Sequence, residues 1–400
     1  MSHKSQLASL GGKPVRRTLL PYGRQWIGLD DIRAVVVTLL SDFVTTGPAV
    51  DRFEHELARY TGAQYAVAFS SGTAALHAAC VAAGIGEGDE VITTPITFAA
   101  TANCIRYAGG TPVFADIDER TYNIDPDSVK RLITNRTKAL IPVHYTGQPA
   151  DMQAIMQLAK ENGLIVIEDA AHAFGASYMG RRIGSGSASM TMFSFHPVKH
   201  ITTGEGGVIT TDDPELYEKL KEFRVHGITR NPSRMERPQG EWYYEMQSLG
   251  FNYRLTDVQA ALGASQLKKA ERFLRLRRRY RQMYDEAFMH AKGVTIPYES
   301  PECESSWHLY VLRLNRTELR AGREEIYHAL RAENIAVNVH YVPVYLHPYY
   351  RDLGYRQGLC PIAERVHEDM ITLPLFPRMT RRDVNDVITA VHKVLAYYSA

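Results

Sequence analysis

The chain has 400 residues, 45% of them hydrophobic, which is ample for a core and points to one large domain plus a smaller one, or to two domains. With 46 basic against 44 acidic side chains the net charge is only +2, so nothing in the overall balance calls for nucleic acid or a membrane surface. The four cysteines, Cys80, Cys104, Cys303 and Cys360, form no CxxC pair, so neither a zinc site nor a disulfide framework is suggested and no metal is expected.

Met1 to Pro14 is polar and lacks the apolar core of a secretory signal, and no stretch approaches membrane-spanning length. A soluble, cytoplasmic protein is expected. Asp30-Asp31 opens an apolar-periodic helix through Leu40, with acidic residues where a helix N-terminus favours them. Val50, Phe53 and Leu57 recur at helical spacing, and Gly62 follows as a stop. Tyr65 to Phe69 reads as a short buried strand, Ser70 to Thr73 as a turn, and Ala74 to Ala83 as a helix.

The alternation then repeats. Strand-like runs fall at 90–94, 112–116, 139–143, 164–168, 190–193 and 207–210, with helices between them, such as Met152 to Glu161. These runs are continuously apolar, as expected when helices cover both faces of a largely parallel sheet. Asp257 to Phe288 reads as one long helix. Its basic run, Arg275-Leu276-Arg277-Arg278-Arg279, has no aromatic interleaving and reads as a solvated helix face rather than a nucleic-acid patch. His308 to Leu314 alternates like a strand with one wet face. Arg323 to Arg331 follows as a helix, Ile335 to His340 as a strand and Asp383 to Tyr397 as a last helix. The expected fold class is α/β: a large, mostly parallel sheet unit over residues 1–290, N-terminal segment included, and a smaller α+β unit over 291–400.

Ligands of open parallel sheets sit outside the carboxyl ends of the strands, and four motifs lie there. Ser71-Gly72-Thr73, between strand and helix, reads either as an anion site built from free N–H groups and hydroxyls or as an ordinary helix cap. No GxxxxGK[ST] loop is present, nor a GxGxxG after a strand, which disfavours a nucleotide hydrolase or a nicotinamide dehydrogenase. Asp169 ends a buried strand, where a carboxylate is costly unless paired; it reads as the partner of a protonated heterocycle or as a helix cap. His172 follows, against the same ligand or as a structural histidine. Phe98 lies just past a strand, either beside the ligand or in the core. Ser194 adds a hydroxyl five residues before Lys199. A lysine among turn-forming residues, paired with a strand-end aspartate, suits an aldehyde cofactor held as a Schiff base while the carboxylate tunes its ring.

With these residues assembled, the chain resembles the DegT/StrS family of pyridoxal-phosphate-dependent sugar aminotransferases, from about Tyr22 to the C-terminus. The motifs that carry the resemblance are Ser71-Gly72-Thr73-Ala74-Ala75-Leu76, Glu168-Asp169-Ala170-Ala171-His172, Ser194-Phe195-His196-Pro197-Val198-Lys199, Gly204-Glu205-Gly206-Gly207 and Asn252-Tyr253-Arg254-Leu255-Thr256. The resemblance implies a fold-type-I homodimer with pyridoxal 5′-phosphate at shared active sites. It implies Lys199 as the cofactor-bonding proton carrier, Asp169 beside the pyridine nitrogen, His172 near the 3-hydroxyl and Phe98 against the ring face. Gly72, Thr73 and Ser194 then form the phosphate cradle, and Asn252 reaches the partner's phosphate. Histidine replaces this lysine in the related sugar dehydratases, so the lysine argues against that chemistry.

Within the family, Thr94 to Phe98, Ile201 to Thr203, Trp242 to Glu245 and Val339 to Tyr345 resemble the branch that aminates a UDP-4-keto sugar in pseudaminic acid biosynthesis. Glutamate is the amino donor this implies. Tyr22, Arg24, His340, Tyr341 and Tyr345 are the candidates for contact with the nucleotide sugar. Tyr22 and Tyr345 also read as interface or core residues, and His340 as structural.

Overall fold

A computed structural model describes residues 6–237 and 239–400. Its centre is a seven-stranded sheet: β1 (Tyr65–Phe69), β2 (Glu90–Thr93), β3 (Thr111–Phe114), β4 (Thr137–Ile141), β5 (Ile165–Asp169), β6 (Met190–Ser194) and β7 (Gly207–Thr211). The spatial order is β1-β7-β6-β5-β4-β2-β3. Strand β7 runs antiparallel to both neighbours, and the other pairs are parallel.

The period of two in the strands assigns each residue to a face. Val67 and Phe69 of β1 pack with Ala75, Leu76 and Ala79 of the helix Gly72–Ala82. Ala66 and Ala68 face the other way, against Phe53 and Leu57 of the helix Pro48–Thr61. Both faces are covered, so the strands need no polar alternation. Gly62 ends the second of these helices at φ 90, in the left-handed region that glycine enters without strain. Cys80 and Cys104 lie within the first core, as small apolar side chains whose sulfurs are 3.4 Å apart.

The run 257–288 is two helices, not one: Asp257–Leu267 and Ala270–Phe288. The first packs on the helices Leu29–Leu39 and Pro48–Thr61. The second carries Tyr280, Tyr284 and Phe288 into the C-terminal core, so the chain must turn at Lys268-Lys269 to serve both. That core covers a three-stranded antiparallel sheet of Val294–Thr295, Tyr310–Leu314 and Met370–Leu373 with the helices Arg323–Ala332 and Arg381–Tyr398. The wet face expected for 308–314 is absent. Tyr310, Leu312 and Leu314 enter this core, while Leu309 and Val311 enter a second one with Val344, Tyr345 and Val366. The expected strand 335–340 reduces to isolated bridges, Ile335 with Leu20 and Asn338 with Thr372. There the Val337 N–H turns back to the Ile335 carbonyl at 3.0 Å and interrupts the ladder.

The N-terminal segment, grouped with the large unit on sequence grounds, packs on the small one. Leu7 and Leu20 belong to the C-terminal core. Buried Glu333 accepts the N–H groups of Ala8 and Val15, both at 2.9 Å. From that anchorage the segment crosses to the large unit, where a Cβ on Gly23 would lie 3.3 Å from Val198.

Candidate active site

The carboxyl ends of β1, β5 and β6 open on one cavity of about 440 Å³. At one end the chain leaves β1 and starts the helix Gly72–Ala82, with Ser71 Oγ accepting the Ala74 N–H at 3.1 Å. The helix-cap reading is therefore met. The capping hydroxyl satisfies one N–H, and Gly72 and Thr73, in a first turn whose N–H groups have no partner within the helix, line the cavity. Ser194, at the end of β6, sits directly beneath: a Cβ on Gly72 would meet its Oγ at 3.2 Å. Gly207 pairs with Ser194 and backs the same loop. A Cβ there would lie 2.6 Å from the Ser71 carbonyl oxygen and 2.7 Å from Gly72 Cα.

Asp169 lies across the cavity, 4% exposed. Its Oδ2 accepts from Thr101 Oγ1 at 2.7 Å and its Oδ1 from the Ala171 N–H at 3.1 Å. Residues 170–176 form turns rather than a helix, so Asp169 caps none. Burial pushes its carboxyl above the usual range, and the Thr101 and Ala171 hydrogen bonds and the Lys199 charge oppose that rise. Lys199 is enclosed by protein except towards the cavity. Burial, supported by the Arg277 charge and opposed by Asp169, brings its amine down to about 8 from 10.5. An amine so placed exchanges protons near neutral pH.

His172 lines the wall with its Nε2 3.2 Å from the Tyr341 hydroxyl, and burial drives its basicity well below normal. His340 is lowered to about 4, by burial and then by Lys199. Tyr22 enters from the N-terminal strap with its ring 5.3 Å from that of His340. Phe98 is 62% exposed at the cavity edge, 6.2 Å from the Tyr341 ring, so it is no core residue.

Of the residues singled out in the sequence, Lys199, Gly72, Thr73, Phe98, Asp169, His172, Ser194, Tyr22, His340 and Tyr341 share this cavity. Three others do not line it. Asn252 is exposed and pairs with Val225. Arg24 is exposed on the strap. Tyr345 is fully buried in the core with Phe114 and Tyr350, its hydroxyl donating to Glu364; packing, not ligand, sets its place. Sequence reasoning missed Thr101, His308, His196 and Glu205, all of which line the cavity. Glu205 and His196 lay within motifs that carry the family resemblance, whereas Thr101 carried no signal.

The donor set fits a phosphorylated aromatic aldehyde. N–H groups and a hydroxyl lie at one end, a carboxylate at the other, and a partly deprotonated amine faces the space between. The model of the DegT/DnrJ/EryC1/StrS aminotransferase family matches residues 26–392. The chain belongs to that family. It is 44% identical over 382 residues to the spore coat polysaccharide biosynthesis protein SpsC of Bacillus subtilis, covering 95% of this chain and 98% of that one. Among solved structures it resembles Helicobacter pylori PseC, an aminotransferase involved in the biosynthesis of pseudaminic acid, at a TM-score of 0.89 and 32% identity, with 95% of this chain and 100% of PseC covered. It also resembles the putative sugar aminotransferase Spr1654 of Streptococcus pneumoniae in its PLP-form, at a TM-score of 0.88 and 31% identity, with 95% and 99% covered. The protein is a fold-type-I sugar aminotransferase, and its cofactor is pyridoxal 5′-phosphate. Among the described residues no helix is long and apolar enough to cross a membrane.

Proposed function

We propose that this aminotransferase moves an amino group from glutamate to the C4 keto group of a UDP-4-keto-6-deoxy-N-acetylhexosamine, as in the pseudaminic acid pathway. The convergence of Lys199, Asp169 and the Gly72–Thr73 helix start on one cavity carries the aminotransferase part of that reading. The motif resemblance and the likeness to PseC support the substrate.

In this reading Gly72, Thr73 and Ser194 hold the cofactor's phosphate, and Phe98 and His172 border its ring. When bound, the cofactor supplies an aldehyde that carries the amino group and a ring that withdraws electrons from the substrate carbon. Asp169, whose carboxylate form the Thr101 and Ala171 hydrogen bonds favour against burial, would hold a proton on the ring nitrogen. Lys199 Nζ takes a proton from one carbon and returns it to another, which its lowered basicity favours near neutral pH. Fixed phosphate and ring contacts keep both carbons within reach of that single amine.

The same reading makes the protein a homodimer with shared sites, Asn252 serving the partner's phosphate. Support comes from the apolar side chains on the helix Leu29–Leu39 and just after it: Leu29 is 85% exposed and Leu40 84%. A monomer in light scattering at micromolar concentration would overturn this part.

A second reading, amination of a different 4-keto sugar nucleotide, is favoured by the higher identity to SpsC, 44% against 32% for PseC. Glutamate-dependent amination of a panel of UDP- and dTDP-4-keto sugars separates the two. Highest kcat/KM on the UDP-N-acetyl substrate supports the first reading, and preference for a dTDP-sugar sinks it.

A further inference from the structure

The basic run of the helix Ala270–Phe288 does not form one solvated face. Arg275 and Arg279 are exposed, Arg278 pairs with Glu304 at 2.6 Å, and Arg277 is 1% exposed. A buried guanidinium normally keeps a carboxylate beside it, because desolvating an unpaired charge is costly. Arg277 makes no ion pair with any described carboxylate within 4.0 Å. Its Nη1 instead lies 3.2 Å from the Trp307 carbonyl oxygen, 3.1 Å from that of His308 and 2.8 Å from that of Leu375. The carbonyl dipoles solvate the charge and leave it uncancelled.

One of those carbonyls, that of His308, belongs to a residue of the cavity wall. His308 lines the cavity, its ring 4.4 Å from that of His172 and 5.4 Å from that of His200, the residue next to Lys199. His200 Nε2 is 3.1 Å from the Ser306 carbonyl oxygen, and Ser306 Oγ donates to the His172 carbonyl at 2.8 Å. Arg277 thus supports a compact layer of three imidazoles behind Lys199.

We propose that Arg277 is a positioning residue of the transamination site: its carbonyl bonds hold His308 against His172, and its uncancelled charge adds to burial in easing the loss of a proton from the Lys199 amine. The inference rests on Lys199 as the reactive amine. Burial lowers Arg277 itself to about 9, so it stays charged at working pH. Its charge acts in the same direction on Lys199, His172, His200 and His308. The other groups that act on Lys199 or feel its charge are Asp169, which opposes Arg277, and His340. Arg278 acts on His200 from the same helix, and Glu205 and His196 lie at the cavity rim.

The test is competitive labelling of Lys199 with acetic anhydride across pH in the cofactor-free full-length protein, read by peptide mapping. The apo-form of Spr1654 superposes on this chain at a TM-score of 0.88, so removing the cofactor is compatible with the fold. Wild type should label with a midpoint near 8. Arg277→Met should move the midpoint up by about half a pH unit or more. Arg277→Lys, which keeps the charge and loses the fork, should hold it. Arg277→Gln, neutral but able to donate to the carbonyls, serves where Arg277→Met fails to fold, and should move with it. An unmoved midpoint in the neutral variants, or an ordinary lysine midpoint in wild type, overturns the proposal. Failure of the wider reading would show separately, as no borohydride-reduced cofactor adduct on Lys199 in the holoenzyme.

Discussion

Thr101 Oγ1 donates to Asp169 Oδ2 at 2.7 Å, and Thr97 Oγ1 lies 2.7 Å from the same threonine oxygen. The start of the helix Ala100–Tyr107 is thereby tied to the carboxylate at the end of β5. Burial lifts the Asp169 carboxyl and this hydrogen bond is the largest influence holding it down. Thr101→Val keeps the volume and removes the donor. The carboxyl should rise further, leaving less of it ionised on the acid side. We expect kcat/KM to fall about tenfold, the size of a lost hydrogen bond to a charged group, with the acid limb of the pH profile moved up. A profile superimposable on wild type would show that Thr101 does not hold Asp169 ionised.

Gly207 is needed for space rather than for flexibility. A Cβ there would lie 2.6 Å from the Ser71 carbonyl oxygen, against backbone that has no room to yield. Gly207→Ala should push the Ser71–Thr73 turn away from Ser194 and weaken cofactor binding about tenfold or more, at a modest cost in stability. Titration of cofactor-free protein with pyridoxal phosphate measures this. Unchanged affinity would mean that the turn is not the phosphate cradle.

The large sheet was legible because its strands are unbroken apolar runs between helices, a pattern that needs only local periodicity. Gly72, Asp169 and Lys199 stood out because each sits at a strand end or in a turn, where ligands of such sheets gather, although the first two also read as parts of helix caps. Tyr345 misled because a tyrosine in a loop near the chain end reads equally as ligand contact and as core, and only the packing of Phe114 and Cys360 around it decides. Arg277 misled because a run of arginines reads as surface. Its burial depends on three carbonyls, two of them some 30 residues away and one 98. Thr101 was invisible for the same reason: its partner is 68 residues distant.

Lys199 and Asp169 separate attachment from electronics. Lys199→Ala should keep the fold, lose the visible absorbance of lysine-bound cofactor and lose turnover. Asp169→Asn should lower kcat roughly a hundredfold while cofactor occupancy falls less, since its main duty is the ring's charge. Absorbance spectra, occupancy and kcat of the two variants check this. Full activity in Lys199→Ala would remove that residue from the role.

Two tyrosines near each other in sequence should behave differently. Tyr341 lines the cavity and meets His172 Nε2, whereas Tyr345 is buried with Glu364. Tyr345→Phe should cost about 1 kcal/mol of stability and leave KM for the sugar nucleotide unchanged. Tyr341→Phe should alter kcat/KM with little effect on melting. The two effects interchanged would place the substrate on the other side of the 341–345 segment.

Lys199 also leaves a signature in stability. Its amine sits at about 8 in the folded chain and at the ordinary 10.5 when unfolded, so between those values the unfolded chain binds more protons. The contribution of this group therefore rises with pH across that window. Its penalty is in full force below pH 8 and fades towards 10.5. Lys199→Met, which has no amine to desolvate, should make the cofactor-free protein more stable than wild type at pH 7, by on the order of 1–3 kcal/mol. The advantage should shrink by pH 9.5. Denaturant midpoints at both pH values measure it, and a difference that stays constant would mean that burial does not depress this amine.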